Sequence, residues 1–491
     1  MELINGLAAE ALERARLSRD ARFDGKFFVA VVTTGIYCRP ICPSRVAKRC
    51  NVRFFGTAAA AEAAGFRPCL RCRPEAAPGT PAWLGTGAVV RRALRLIDAG
   101  ALDERSVEAL ATRLGVGSRH LLRLFDRHVG ASPTAVAQTR RLHFAARLLE
   151  DTALPITHIA MAAGFRSSRR FNDAFRKTYE RTPRDLRRQR RRGSGGPKSE
   201  EVALRLAYRP PYDWNHLRDF LATRALPGIE RVDARGYTRS VACAGGHAFI
   251  SVAPVPGKDA LQLRVTGAPP QALLQIASTA RRAFDLAADP ARINQELAKD
   301  HLIGSLVRSR PGLRIPGAWE PFECAVRAVL GQQVSVAAGR TFAARLVERA
   351  GRTITGGGDG LTHLFPSPAA VASVSLDGLG LTQARTAALR SLAQAVLEGR
   401  VDFGASPAEL MAALSGLPGI GPWTAQYVLL RALGEPDALP SGDLVLRRMA
   451  APTQVLLSGR QLDERSRDWQ PWRGYAVLHL WRAAAGTGVA T

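Results

Sequence analysis

The pattern of apolar and polar positions divides the chain into stretches of different period. Across residues 85–190 apolar residues recur at helical spacing with few strand-like runs, which predicts a mostly helical unit. Val202–Tyr208, Arg239–Val255 and Ala260–Val265 alternate apolar with polar, the period-two signature of half-buried strands. From about Pro270 onward Ala/Leu-rich helical patterns return, separated by Gly and Pro. Pro74, Pro78, Gly79 and Pro81 punctuate one joint, and Gly193-Ser194-Gly195-Gly196-Pro197 a second, more flexible one. No solenoid repeat is present, although the helical middle holds two similar helix-turn-helix patterns. Units at 1–80, 85–190 and 201–491, with a linker at 191–200, follow from this reading, and 491 residues suffice for about three domains.

The composition, 46% hydrophobic and 23% charged, excludes wholesale disorder. Lys and Arg number 69 against 42 Asp and Glu, a net charge of +27. The excess is uneven: 13 basic against 7 acidic groups in residues 1–80, 24 against 11 in 81–200, and 32 against 24 in 201–491. A basic chain with its most basic part in the middle points to nucleic acid as the partner, an Arg-favouring GC-rich genome being the bland alternative. Glu2, Glu10, Glu13 and Asp20 interrupt the apolar N-terminus, so no secretory signal is read there. The longest charge-free stretch, Leu410–Leu430, contains Gly416, Pro418, Gly419, Gly421 and Pro422 and is no membrane span. A cytoplasmic protein without a membrane partner is expected.

Five of the seven cysteines lie within residues 38–72. Cys38 and Cys42 are spaced C-x3-C, and Cys69 and Cys72 C-x2-C. Two close pairs suit tetrahedral Zn²⁺, and with no histidine before His120 an all-sulfur site is the economical reading. Four reduced core cysteines without metal are the alternative. Cys50 is left over and is expected to be a buried bystander. The residues around the cluster, Asp24-Gly25-Lys26, Thr33-Thr34-Gly35-Ile36-Tyr37-Cys38-Arg39-Pro40 and Gly65-Phe66-Arg67-Pro68-Cys69, resemble the N-terminal domain of the Ada methylation-response family. The resemblance implies one Zn²⁺ on four thiolates, with Cys38 taking a methyl group from a DNA methylphosphotriester. Zn²⁺ keeps sulfur deprotonated at neutral pH, and the thiolate is the nucleophile. Methylating one of four thiolates removes a negative charge that repels the phosphate backbone, so repair becomes a DNA-binding switch.

In the middle unit Ser106–Ala111, a turn at Gly115 and Ser118–Phe125 form one helix-turn-helix pattern. Ile156–Ala160, a turn at Gly164-Phe165 and Ser167–Phe171 form the second, with Thr182-Pro183 expected to close it. This resembles the AraC-type DNA-binding domain. Ser118, Arg119, Arg123, Ser168, Arg169 and Arg170 fall in the candidate recognition helices, which that geometry places in successive major grooves of double-stranded DNA. For any single arginine among them, a phosphate contact is the alternative to base reading. The run Arg187–Arg192 reads as a solvated or phosphate-hugging tail.

Near the other end, Leu417-Pro418-Gly419-Ile420-Gly421-Pro422-Trp423-Thr424 predicts a glycine hairpin followed by a helix. Exposed backbone N–H groups there suit a phosphate. Asp443 follows 24 residues after Gly419. Hairpin and downstream Asp resemble the helix–hairpin–helix DNA glycosylases. Pro210–Trp214, Arg310–Gly317, Leu330–Val336 and Trp469–Ala476 narrow the resemblance to the AlkA-type 3-methyladenine glycosylases. That likeness implies a small α/β subdomain at 201–285 and a helical glycosylase body at 286–491. It implies Asp443 as the catalytic carboxylate, Trp423, Tyr427 and Trp481 as the base pocket, and Gly419, Gly421 and Thr424 as hairpin DNA contacts. Aromatic faces attract a base made cationic by alkylation, and a flipped base can reach them. A carboxylate then stabilises the oxocarbenium character at C1′. As a plain alternative, Asp443 is a helix N-cap.

The sequence also departs from these families. Bifunctional glycosylases carry a Lys where Trp423 stands, so a monofunctional enzyme is expected. Cys243 and Cys324 are the only cysteines after residue 72, too few for an iron–sulfur cluster. The family's leucine wedge falls at Gln333, leaving open whether Gln333, Gln332 or a neighbour fills the gap in the helix. No Pro-Cys-His-Arg tetrapeptide for O6-methylguanine transfer occurs. The expected fold is multidomain and mainly α: a small zinc-bound α/β domain, a double helix-turn-helix domain and an α+β glycosylase. The expected function is an alkylation-repair sensor, regulator and glycosylase, monomeric, with RNA polymerase as the activator's partner. The rivals are a regulator with an inert structural zinc and a silent glycosylase half, and a glycosylase whose N-terminal half merely adds affinity.

Overall fold

The computed structural model describes residues 3–78, 87–103, 105–191, 201–358, 360–451 and 456–486; the glycine-rich joint at 193–197 lies outside them. In the first unit, helix α1 (Ala9–Ser18) and α2 (Ala58–Ala63) accompany strands β1 (Phe28–Val31), β2 (Ile36–Cys38), β3 (Val52–Phe55) and β4 (Arg67–Pro68) in the order β3-β1-β2-β4. The strands are too short to show alternation in the sequence. Phe28, Ala30, Tyr37, Ala61 and Phe66 fill one core face, and Leu12, Phe27, Val29 and Val52 the other. Cys50 is exposed, contrary to the buried place expected of it. The short helical turn Arg49–Asn51 that carries it runs along the surface.

The second unit is all-helical: α3 (Ala88–Asp98), α4 (Val107–Arg113), α5 (Ser118–Val129), α6 (Pro133–Asp151), α7 (Ile156–Ala162), α8 (Ser168–Tyr179) and α9 (Pro183–Arg191). Gly164 turns the chain between α7 and α8 with φ +78°, a value other residues resist. Phe165, Phe171, Phe175 and Tyr179 then pack in succession with centroids 4.4–5.5 Å apart, edge-on, tilted and finally stacked. Thr182-Pro183 does not close the motif. Proline at the first helical position is preorganised for a helix, and Pro183 opens α9. Arg187, first of the arginine run, donates to the Leu154 carbonyl at 2.6 Å; the side chains from 189 onward lie outside the description.

The third unit begins with an antiparallel sheet of β5 (Val202–Ala207), β6 (Glu230–Asp233), β7 (Gly236–Cys243), β8 (Gly246–Pro254) and β9 (Ala260–Thr266), ordered β5-β9-β8-β7-β6. The apolar alternation continuous over 239–255 is a hairpin, Cys243 pairing with Gly246. β6, an edge strand of sequence Glu-Arg-Val-Asp, carries no alternation to read. Helix α10 (Trp214–Arg224) and α11 (Leu273–Ala283) flank the sheet. The helical body comprises α12 (Pro290–Leu297), α13 (His301–Ser309), α14 (Pro321–Leu330), α15 (Val336–Ala350), α16 (Pro368–Ser373), α17 (Gln383–Leu397), α18 (Pro407–Ser415), α19 (Pro422–Val428), α20 (Leu444–Met449), α21 (Gly459–Arg465) and α22 (Arg473–Gly486). One large core of Leu, Val and Ala joins α12 through α22. No helix among the described residues is long and apolar enough to cross a membrane.

The units pack on one another. The second helix-turn-helix and the five-stranded sheet share one apolar core. Arg92 of α3 pairs with Glu409 of α18 at 3.1 Å and Arg113 of α4 with Asp402 at 3.1 Å, seating these two helices on α18 and the segment before it. The thiol-bearing unit meets the third through Lys26 Nζ and Asp289 Oδ2, 2.5 Å apart and both buried. Fully buried Arg209 donates to the Asp24 carbonyl at 2.9 Å and the Ala287 carbonyl at 2.8 Å. Lys26→Met leaves a buried carboxylate without its cation. Denaturant unfolding is expected to show a loss of about 3–5 kcal/mol in the transition of this interface. The double variant Lys26→Met/Asp289→Asn is expected to recover part of it; strictly additive losses would show that the pair is not coupled.

Candidate functional site

The parallel pairing of β2 with β4 sets Cys38, the last residue of β2, beside Cys69, whose N–H donates to the Tyr37 carbonyl at 3.0 Å. A turn closed by Cys42 N–H on the Arg39 carbonyl returns Cys42 to the same point, and Cys72 follows in the turn after β4. The four sulfurs lie within 4.8 Å of one another. Tetrahedral Zn–S bonds place sulfurs about 3.8 Å apart, so the donor set and its spacing fit one Zn²⁺. Hydrogen bonds among the sulfurs set the four apart, pushing the Cys38 thiol (chiefly through Cys42) and the Cys72 thiol (chiefly through Cys38) up and the Cys42 and Cys69 thiols (both chiefly through Cys38) down. Arg39 closes the rim. Its N–H donates to Cys72 Sγ at 3.3 Å, and its guanidinium reaches the Cys72 carbonyl and the Asp24 carboxylate. Cys69 and Cys72 are 7% and 8% exposed, and Cys38 and Cys42 are half-buried.

The six candidate recognition residues begin α5 and α8. Arg119, Arg123, Ser168, Arg169 and Arg170 are exposed and Ser118 is half-buried.

The second cluster forms where α18, α19, α20 and α22 converge. Gly419 turns the hairpin between α18 and α19 at φ +76°, and a Cβ there would lie 2.9 Å from that of Ala388. Gly421 is the N-cap of α19 and is exposed. Thr424 is buried beneath the hairpin. The Gln332 amide donates to its hydroxyl and to the Gly419 carbonyl, both at 2.9 Å. Gln332 therefore braces the hairpin, whereas Gln333 stands exposed at φ +54° at the tip of the α14–α15 loop.

Asp443 is at once N-cap and indole acceptor. Oδ1 accepts from Leu446 N–H at 2.9 Å at the start of α20. Oδ2 accepts from Trp423 Nε1 at 3.0 Å, and Oδ1 from Trp481 Nε1 at 3.4 Å. Trp423 and Tyr427, one turn apart on α19, stack at 5.4 Å and 16°, and Trp481 on α22 stands 6.2 Å from Tyr427 at 51°. The structure thus brings together all four residues named from the sequence. It adds three that the sequence reading missed: Phe220 and Arg224 on α10, and Arg431, whose guanidinium donates to the Tyr427 hydroxyl at 2.6 Å. Of these only Arg431 had a visible signal, its i+4 spacing from Tyr427.

Comparison with known proteins agrees with both clusters. Residues 11–75 match the metal binding domain of Ada, 110–189 a helix-turn-helix domain and 203–320 the AlkA N-terminal domain. The chain is 41% identical over 480 residues to the probable bifunctional transcriptional activator/DNA repair enzyme AlkA of Mycobacterium tuberculosis, covering 96% of each chain. It belongs to that family. Within the family chain the likeness divides. DNA-3-methyladenine glycosylase 2 of Escherichia coli is 34% identical over 56% of this chain and 95% of its own. The bifunctional activator/repair enzyme Ada of the same organism is 39% identical over 35% of this chain and 47% of its own. In the solved structures, a 3-methyladenine DNA-glycosylase from Archaeoglobus fulgidus shares the fold of 56% of this chain and 96% of its own, with TM-score 0.50 and 20% identity.

Proposed function

We propose that the chain senses and repairs alkylated DNA through both clusters. Cys38 is the methyl acceptor. Its sulfur attacks the methyl carbon of a methylphosphotriester, the S–C bond forms, the C–O bond breaks, and the phosphodiester leaves as an anion. Zn²⁺, held by Cys38, Cys42, Cys69 and Cys72, supplies the charge that keeps these sulfurs deprotonated. Loss of one negative charge at Cys38 strengthens phosphate binding, with Arg119, Arg123, Arg169 and Arg170 facing the promoter and RNA polymerase as the activated partner. We take the acting species as a monomer with units at 1–80, 85–190, 201–285 and 286–491.

The glycosylase half releases N-alkylated purines. Gly419 and Gly421 grip the backbone, Gln333 enters the duplex as wedge, and the base enters between Trp423, Tyr427 and Trp481. Asp443 faces C1′. The observation that carries this reading is the double indole clasp on Asp443: a carboxylate and three aromatic faces converge from three separate helices. Residues 201–491 contain two lysines, Lys258 and Lys299, and Lys299 pairs with Glu296 on the surface. Among the described residues no amine is paired with Asp443, which supports hydrolysis without strand cleavage.

Incubation with methylated DNA should release free alkylpurines and add one methyl mass to the Cys38 peptide. Base release without the mass gain leaves a glycosylase alone. The mass gain without base release leaves a regulator with a silent glycosylase half.

A further inference from the structure

Fixed positive charge is built into the walls of the aromatic cleft. Arg431 lies on Leu429–Leu433, a π-helical segment that continues α19; such wider turns are frequent at functional sites. Its side chain is buried. The guanidinium donates to the Tyr427 hydroxyl at 2.6 Å and to the Pro316 carbonyl. It stands 5.4 Å from the Tyr427 ring centroid and 4.6 Å from that of Phe220. Arg224 covers Phe220 as well, at 3.9 Å. Among the described residues neither arginine has a carboxylate within ion-pair distance. Burying a cation without a counter-charge opposes folding, and the fold nevertheless keeps Arg431 buried at the cleft with half-buried Arg224 beside it.

Damaged bases leave with different charges. A purine alkylated at N3 or N7, ring nitrogens that carry no proton, is a cation. The electron pair of the breaking C1′–N bond makes it neutral, while water adds its oxygen to C1′ and loses a proton to solvent. A neutral damaged base takes the same electron pair and departs as an anion, then accepts the proton the water gives up. Positive potential at the Tyr427 hydroxyl stabilises the developing anion and opposes a bound cation. The guanidinium groups also engage the rings of Phe220 and Tyr427, reducing what those faces offer to a cationic base.

We propose that Arg431, acting through Tyr427, is a positioning residue that sets the balance between cationic and neutral damaged bases and extends excision to the neutral ones. This rests on the glycosylase reading above. The test is single-turnover release by the full chain from duplexes carrying one 7-methylguanine (cationic) or one hypoxanthine (neutral). Arg431→Met is expected to raise the ratio of 7-methylguanine to hypoxanthine release at least tenfold, through loss of hypoxanthine release. Tyr427→Phe keeps the ring, removes the contacted hydroxyl and is expected to move the ratio the same way; it decides the matter if Arg431→Met does not fold. A ratio within twofold of the wild type, both bases slowing together, overturns the inference, because a merely structural role predicts that result. Wild-type release of 7-methylguanine without hypoxanthine overturns it too. A wild-type chain that releases neither base overturns the glycosylase reading itself.

Discussion

Asp443→Asn is expected to leave the protein folded and to slow base release by a hundredfold or more. The substitution separates the two jobs of this side chain. As N-cap of α20, Asp443 accepts from Leu446 N–H, and Asn caps a helix about as well as Asp. The amide oxygen can still accept one indole N–H. What is lost is the negative charge facing C1′. Removing one preorganised electrostatic partner of a developing charge typically costs roughly 3 kcal/mol, on the order of a hundredfold to a thousandfold in rate. Release rates from 7-methylguanine DNA, with thermal unfolding of both proteins as control, measure the two effects separately. Full activity in a folded Asp443→Asn protein would show that the carboxylate is only a cap. Loss of stability matching the loss of activity would point the same way.

Cys38→Ala is expected to abolish methyl uptake while leaving base release by the other half unchanged. Mass spectrometry of the intact chain after exposure to methylphosphotriester DNA should show no added methyl. Cys69 and Cys72 are buried, and Cys72 also accepts the Arg39 N–H, which lowers the electron density available for attack. A methyl found on Cys42, Cys69 or Cys72 of the wild-type chain instead would overturn the assignment to Cys38. The same variant removes one of four ligands, so zinc content by atomic absorption should fall and chelator sensitivity rise.

Much of this protein was legible in local patterns. Close-spaced cysteine pairs bind a metal because a short turn returns the second sulfur to the first, and C-x3-C and C-x2-C are such turns. Four strands of the larger sheet showed because each buries one face, as the alternating burial of Val202–Ala207 records. The strands of the first unit, two to four residues long, and the charged edge strand Glu230–Asp233 escaped notice. Pro183 was misread for a similar reason: proline marks a helix start and a helix end with equal force until its neighbours are seen.

By itself, the sequence singled out the residues to which the proposed chemistry is assigned: four thiols, a glycine hairpin, Asp443 and the aromatic side chains of α19 and α22. Those assignments depend on residue type and short spacing, which a linear chain displays directly. Only the tertiary structure decided which groups face one another across hundreds of residues. It set Gln332 inward as a brace and Gln333 outward. It buried Arg431 against Tyr427 and Phe220, laid half-buried Arg224 over Phe220, and joined Lys26 to Asp289 across two units. Such pairings follow from how whole cores pack, and apolar packing is non-directional in sequence. Any buried leucine face can in principle meet many others, and only the assembled core selects which polar groups are carried into contact.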